Sequence, residues 1–307
     1  MKKNFLYILS GVLGLLLLIG CSDDEKFPPP TPLDANTIVS EAKPGSITLK
    51  WAIPEDANYK YIKITYTLPE TGKECMRLAS VYSDSLVVDN LLKRYGDIEF
   101  TLQPCSEDGK GGDTYKIVAQ AGAAQKTIKL ESTNKPFQMT GKDDAWSDHP
   151  ETSEGSLPAL FDGITDQGGN FFHLSWSQAT PFPHYIVFDL KENASAFRFS
   201  YYGRNNANRD NPKEMDILVS NDFENTPEYY ANETGTRLIA SLSGLPDAKN
   251  AHYESANLTS ETSFRYVWFK IKSATSGQNW VALGEMSVFR TKKSIYDPET
   301  GETTVLD

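Results

Sequence analysis

The chain has 307 residues and a formal net charge of −11, a length that suits two domains of ordinary size. This acidic balance argues against a nucleic-acid-binding body, which needs a basic face, and against adsorption to anionic lipid. Aromatics are plentiful (15 Tyr, 15 Phe and 5 Trp), whereas 4 His and no HExxH-type pair give no basis for a His-rich metal enzyme.

Lys2 and Lys3 precede an apolar run from Phe5 to Ile19, interrupted by Ser10, Gly11 and Gly14. The run is shorter than the ~20 apolar residues of a bilayer span and has the layout of a secretory signal peptide over residues 1–20. A signal-anchor helix is the alternative, but stop-transfer charges and a longer run are missing. Leu18-Ile19-Gly20-Cys21 resembles the lipobox of bacterial lipoproteins. That resemblance implies cleavage before Cys21, acylation of its sulfur, and membrane attachment through lipid alone, each buried CH₂ contributing ~0.8 kcal/mol. Ser22-Asp23-Asp24-Glu25 reads as a solvated charge run. Acids placed directly after a lipidated Cys also resemble the export tag of surface lipoproteins in glycan-harvesting Gram-negative bacteria, which implies an outer-membrane, cell-surface location. Phe27-Pro28-Pro29-Pro30-Thr31-Pro32 reads as a stiff polyproline spacer, making 21–33 a flexible tether.

Residues 34–130 alternate with period two. Ile47, Leu49 and Trp51 face one way, and Ile62, Ile64 and Tyr66 repeat the pattern, as do Ile98, Phe100 and Leu102. Gly, Pro, Asn and Asp clusters separate the runs, which predicts an antiparallel sandwich. A buried Trp51, a Tyr-rich middle strand and IEFTLQPCSEDGKGG together resemble a fibronectin type III/Ig-like domain, which implies a spacer or interaction module. Gly109-Lys110-Gly111-Gly112 is no phosphate loop, because it lacks the GxxxxGK[ST] spacing and joins two strands. Whether Cys75 and Cys105 form a disulfide is open at this level.

Residues 131–136 (ESTNKP) read as a linker. A second all-β block is expected over 137–290, with its clearest strands at 185–190, 196–202, 214–220, 264–271 and 282–289. Residues 291–307 read as a loose polar tail.

The second block carries a series of short motifs. Leu160-Phe161-Asp162-Gly163 precedes Asn170-Phe171-Phe172-His173-Leu174-Ser175-Trp176-Ser177. Then come Pro183–Leu190 (PHYIVFDL), Phe197–Asn206 (FRFSYYGRNN), Ile217–Asp222 (ILVSND), Arg265–Ile271 (RYVWFKI) and Gly284–Phe289 (GEMSVF). In this order they resemble the discoidin domain (coagulation-factor 5/8 type C) and its bacterial relatives, the family-32 carbohydrate-binding modules. The resemblance implies a galactose-binding-like jelly-roll β-sandwich. The overall expectation is therefore an all-β chain, a fibronectin type III/Ig-like sandwich followed by a discoidin-type jelly roll.

Family members that bind galactose-type sugars use a His, an aromatic residue three positions on, and an Arg about thirty later. The matching positions are His173, Trp176 and Arg204. An indole suits the C–H face of a pyranose, and Arg offers a fork of donors to neighbouring hydroxyls. Asn205 and Asn206 add amides, and Trp280 is a second stacking surface unless its parity turns it inward. The competing readings are a core Trp176, a half-buried structural His173, and an Arg204 that only pairs with Asp210. The resemblance also implies a structural Ca²⁺ on hard oxygen ligands, for which Asp162 and Glu285 match. Asn170 stands where the family has Thr, and Thr165 or Asp166 is the nearest substitute. A metal-free loop with Asp162 capping a turn is the alternative.

No GxSxG and no distinguished acid–base pair point to catalysis. The expected function is non-catalytic glycan capture at the cell surface, alongside envelope transporter or glycosidase partners. The alternative is a protein-interaction or scaffold subunit that binds no glycan of its own.

Overall fold

The computed structural model describes residues 28–165, 169–206 and 210–306. The leader, Cys21, the acidic run after it and Asp166 lie outside the described residues. The chain divides into two compact units, Met1–Ala124 and Gln125–Asp307.

The first unit holds β1 (Val39–Lys43), β2 (Ser46–Lys50), β3 (Tyr61–Leu68), β4 (Lys73–Ser80), β5 (Ser85–Val88), β6 (Ile98–Cys105) and β7 (Tyr115–Ala119). They form a three-stranded sheet, β1-β2-β5, and a four-stranded sheet, β4-β3-β6-β7. This is the strand arrangement of a fibronectin type III-like sandwich. The alternation read from the sequence points inward: Ile47 and Leu49 from one sheet meet Ile62, Ile64, Phe100 and Leu102 from the other in one buried cluster with Trp51. Strand β3 lies between the two cysteines, Cys75 opposite Tyr66 and Cys105 opposite Tyr61. Two strand spacings and five residues of rise separate their Cα atoms by ~19 Å, far beyond the ~7 Å limit of a disulfide. Both thiols are free.

The spacer is shorter than the sequence suggested. The Asn58 side chain donates to Pro29 O (3.0 Å) and accepts from Thr31 N (2.6 Å), and Leu33 is buried in the core. Residues 29–33 are therefore bound to the sandwich, because the spacer carries one apolar side chain that the core takes up.

The second unit contains β8 (Thr127–Pro136), β9 (Ala145–Ser147), β10 (Phe172–His173), β11 (His184–Gly203), β12 (Pro212–Ser220), a short helix α1 (Pro227–Asn232), β13 (Arg237–Ser243), β14 (His252–Glu254), β15 (Leu258–Ala274), β16 (Ala282–Asp297) and β17 (Glu302–Leu306). The strands expected at 185–190 and 196–202 are one bent strand. Its first part pairs with β9 and β15, and its second part with β14 and β16, so β11 serves both layers of a jelly roll. Between the layers lie Phe172, Phe188, Phe197, Phe199, Tyr201 and Phe269, all fully buried.

Three boundaries need correction, the first being the end of the first domain, which falls at Ala124 and not at 130 because 127–130 pair with β16. The supposed linker 131–136 is the end of β8, which pairs antiparallel with β16. Its polar residues bond across the sheet: Thr133 Oγ1 donates to Arg290 O, while Ser132 Oγ and Asn134 Oδ1 accept from the Arg198 guanidinium. The supposed loose tail continues β16 to Asp297 and returns as β17, turning at Gly301 with φ +75°, a conformation that suits glycine. Polar composition describes a solvated strand as well as a coil, and here backbone pairing decides.

Candidate functional site

Two loops of the second unit run side by side. Glu151 N donates to His173 O (2.9 Å), Ser156 N to Phe171 O (3.0 Å) and Ser175 N to His149 O (2.9 Å). The contact requires glycine at 155: its φ is +74°, and a Cβ there would lie 2.9 Å from Phe171 O. This antiparallel run carries Glu154 up to the Trp176 loop.

Trp176 is 47% exposed, so the core alternative does not hold. Its indole Nε1 donates to Glu154 Oε1 (2.9 Å), which fixes the ring by its edge and leaves its apolar carbons to solvent. The other oxygen of Glu154 lies 3.7 Å from Arg204 Nη2. The Arg204 guanidinium sits over the Phe171 ring, 3.5 Å from its centroid, a cation–π contact. Its Nε is buried and has no hydrogen-bond partner among the described residues. Arg204 therefore pairs with Glu154, not with Asp210. His173 packs edge-on against the same Phe171 and is only 4% exposed. Its Nδ1 bonds Leu174 O (2.5 Å). A carbonyl only accepts, so Nδ1 carries the proton and Nε2 is the acceptor of the neutral ring.

His173, Trp176 and Arg204 thus gather around Phe171 and Glu154. Asn205 is half-buried in the turn after Arg204. Trp280 is different: it is partly buried and packs against the main core, so the structure does not present it as a second platform.

Glu151 holds the two loops together. One carboxylate oxygen accepts from Thr152 N, Ser153 N and Ser153 Oγ, the other from Ser175 Oγ, Ser177 N and Ser177 Oγ. The Ser153 hydrogen bonds, then those of Ser177, hold its carboxyl well below the usual carboxylate range. Neither Glu151 nor Glu154 stood out in the sequence.

The Asp162 loop lies against β16. Asp162 Oδ1 accepts from Ile164 N (2.9 Å) and Oδ2 from Asn170 Nδ2 (3.0 Å). Glu285 Oε2 accepts from Gly163 N (3.0 Å). Glu285 is 9% exposed, and burial, with the Asp162 charge adding to it, pushes its carboxyl up to about 7 against the Gly163 and Ile164 N–H groups. The Thr165 carbonyl lies close to β16, 3.5 Å from where a Cβ on Gly284 would sit. Two carboxylates converge with no cation paired to either among the described residues, and an amide and a carbonyl stand beside them. No group of three or more His, Cys, Asp or Glu side chains that could hold a metal ion occurs among the described residues, so the candidate donors here are two carboxylates and neutral oxygens. Hard oxygen donors are the kind that Ca²⁺ takes, while the Asp162–Ile164 bond is also the turn cap expected of a metal-free loop.

Residues 143–286 match the family model of the F5/8 type C domain. This part of the chain is a discoidin domain. Among solved structures, the chain is similar to CpGH89CBM32-5 from Clostridium perfringens, in complex with GalNAc-β-1,3-galactose (18% identity, TM-score 0.38, 47% of this chain and 93% of that one). It is also similar to the family 32 carbohydrate-binding module of NanJ from C. perfringens, in complex with galactose (11% identity, TM-score 0.34, 54% and 93%). A SusE-like protein aligns over 86% of this chain and 99% of its own, at 16% identity and a TM-score of 0.38. No curated protein matches the chain.

Within the discoidin domain, the Trp176 loop is also fixed from below. His184 Nε2 bonds Thr180 O (3.0 Å) and its Nδ1 bonds Asp148 Oδ2 (3.1 Å). Burial opposes its charged form, but these partners outweigh burial and raise its pKa. His149 stacks on His184 at 4.9 Å and bonds Gln178 O (2.7 Å). The loop that carries the exposed indole is thus held at Ser175, Ser177, Gln178 and Thr180.

Proposed function

We propose that the chain is a cell-surface lipoprotein that captures glycan through its discoidin domain and carries out no catalysis itself. One observation carries this reading: an exposed, edge-fixed Trp176 stands beside an Arg204 whose donor capacity is largely unspent. The indole carbons take the apolar face of a pyranose. Arg204 supplies donors to neighbouring hydroxyls, His173 Nε2 and Glu154 accept from them, and Phe171 keeps the guanidinium flat. Each site is small and open to water, so affinity per sugar is modest and repeated units add avidity. Glycan arrays and affinity electrophoresis with the pure protein test this. Binding without turnover is the expected result, and a protein that binds no glycan would favour the scaffold reading.

Asp162 and Glu285, with Asn170 and the Thr165 carbonyl, would hold a structural Ca²⁺ that neutralises the buried carboxylate and ties the 162–170 loop to β16. Calcium at a hundred times its Kd adds ~2.7 kcal/mol, so Tm should rise by about 5–10 °C. EDTA should reverse the rise and Asp162→Ala should abolish it; an unchanged Tm in excess calcium would rule the site out.

Cys21 and the acids after it support anchoring on the outer face, near uptake machinery or partner hydrolases. Protease treatment of intact cells should remove the protein. Survival of the full-length protein would place it on the periplasmic face.

A further inference from the structure

A second cleft lies in the discoidin domain, outside the Trp176 cluster. Its volume is about 620 Å³, within the range of small-ligand sites, and its walls include Asp148, Tyr185, Asn225, Pro227, Tyr230 and Ala231. The floor is aromatic and held in place. Tyr185 and Tyr230 lie 5.7 Å apart and both pack on the fully buried Trp268. Their hydroxyls are engaged, Tyr185 with Glu233 (2.9 Å) and Tyr230 with Asn225 Oδ1 (2.7 Å). Each ring is only 6% exposed, so the floor of the cleft shows a small strip of ring carbon and no free hydroxyl.

The rim supplies the polar groups. Asn225 uses its oxygen for Tyr230, so its amide NH₂ remains as a donor. Asp148 accepts one bond at each oxygen, from Tyr185 N (2.7 Å) and from His184 Nδ1 (3.1 Å), which fixes the carboxylate and leaves each oxygen a further lone pair. A fixed acceptor, an amide donor and an apolar floor complement a ring with one C–H face and adjacent hydroxyls. The carboxylate at the rim repels anionic ligands, and the chain as a whole is acidic.

We infer that this cleft is a second saccharide site, selective for neutral pyranose units over uronic or sialic acids. The discoidin domain would then hold a glycan at two points. The inference extends the glycan-binding reading; the sites share only Asp148, which also holds His184 beneath the Trp176 loop, and their ligand-contacting aromatic residues differ, so the two can fail separately.

The test is an amide NMR titration of the ¹⁵N-labelled full chain with methyl β-galactoside, N-acetylglucosamine and galacturonic acid at millimolar concentrations. In the Trp176→Ala protein, at least one neutral sugar should still shift the amides of Asp148, Thr226, Tyr230 and Ala231, and galacturonic acid should not. Ala231 is exposed on α1, so Ala231→Arg in the otherwise wild-type chain should block the cleft and remove the cleft shifts while those at Ser175–Ser177 persist. No shift at the cleft in the Trp176→Ala protein with either neutral sugar would overturn the second site and leave the first intact. Equal shifts with galacturonic acid would overturn the selectivity. Wild-type shifts confined to the cleft would uphold this inference and overturn the Trp176 site.

Discussion

Trp176→Ala should weaken glycan binding at the first site by about 2 kcal/mol, or roughly thirtyfold in Kd, as expected for an aromatic anchor. The fold should survive, because the ring is exposed and makes one hydrogen bond, to Glu154. Arg204→Lys should not restore what Arg204→Ala loses, since an ammonium neither lies flat on Phe171 nor presents a fork. Glu151→Gln should also weaken binding, although Glu151 need not touch the sugar. It would replace an acceptor-only carboxylate, which receives six hydrogen bonds from both loops, with a group that must place an NH₂ among donors. Affinity electrophoresis of the four variants checks the series. Wild-type affinity in Trp176→Ala would show that the indole is no platform.

Arg265→Ala should have the largest effect on stability. Asp189 is 3% exposed and accepts a two-point bond from Arg265, Nε to Oδ1 (2.7 Å) and Nη2 to Oδ2 (2.8 Å). Removing the guanidinium leaves a buried carboxylate held only by the Lys191 backbone and ammonium. Loss of one partner of a buried pair costs ~3–5 kcal/mol; Arg265 is itself 42% exposed and Lys191 remains, so about 2–3 kcal/mol is expected. Thermal unfolding should show a drop in Tm of about 5–10 °C. The pH dependence has a definite sign. Burial alone would raise the Asp189 pKa, but the Arg265 and Lys191 bonds outweigh it and the net shift is downward. A carboxylate depressed in the folded state contributes stability above its unfolded pKa of ~3.9 and loses it as pH falls through the folded value. The difference between wild type and Arg265→Ala should therefore be full at neutral pH and shrink as pH falls into the acid range where Asp189 takes up a proton, first in the variant, which has lost the Arg265 bonds that oppose burial. A gap that persisted unchanged into strong acid would separate Arg265 from the Asp189 charge.

His173, Trp176 and Arg204 were legible through the resemblance of their motifs to the discoidin family. His173 and Trp176 share one loop, and Arg204 follows Gly203 at the end of β11. Glu154 was not legible. It sits in ETSEGS, one acid among many, and reaches Trp176 only because residues 149–156 pair with 171–175. For Trp280 the sequence left two readings open, because a period-two pattern cannot fix parity at a loop edge; its partly buried side chain packs against the core. The DG loop falls between these cases. Asp162, Asn170 and Glu285 were each readable, but only folding shows the two carboxylates meeting without a paired cation.

The amino-acid sequence by itself determined the all-β class and the inward faces of both sandwiches, because strand periodicity is a property of adjacent residues. It also carried the discoidin motifs in order. Tertiary structure decided what depends on distant pairing. It showed that ESTNKP is a strand, because its partners lie on β16, some 150 residues later. It showed that Cys75 and Cys105 are kept apart by β3. It showed that Glu151 and Glu154 complete the Trp176 cluster. Cys21 lies outside the described residues, and the proposal of a lipid anchor there rests on the sequence alone.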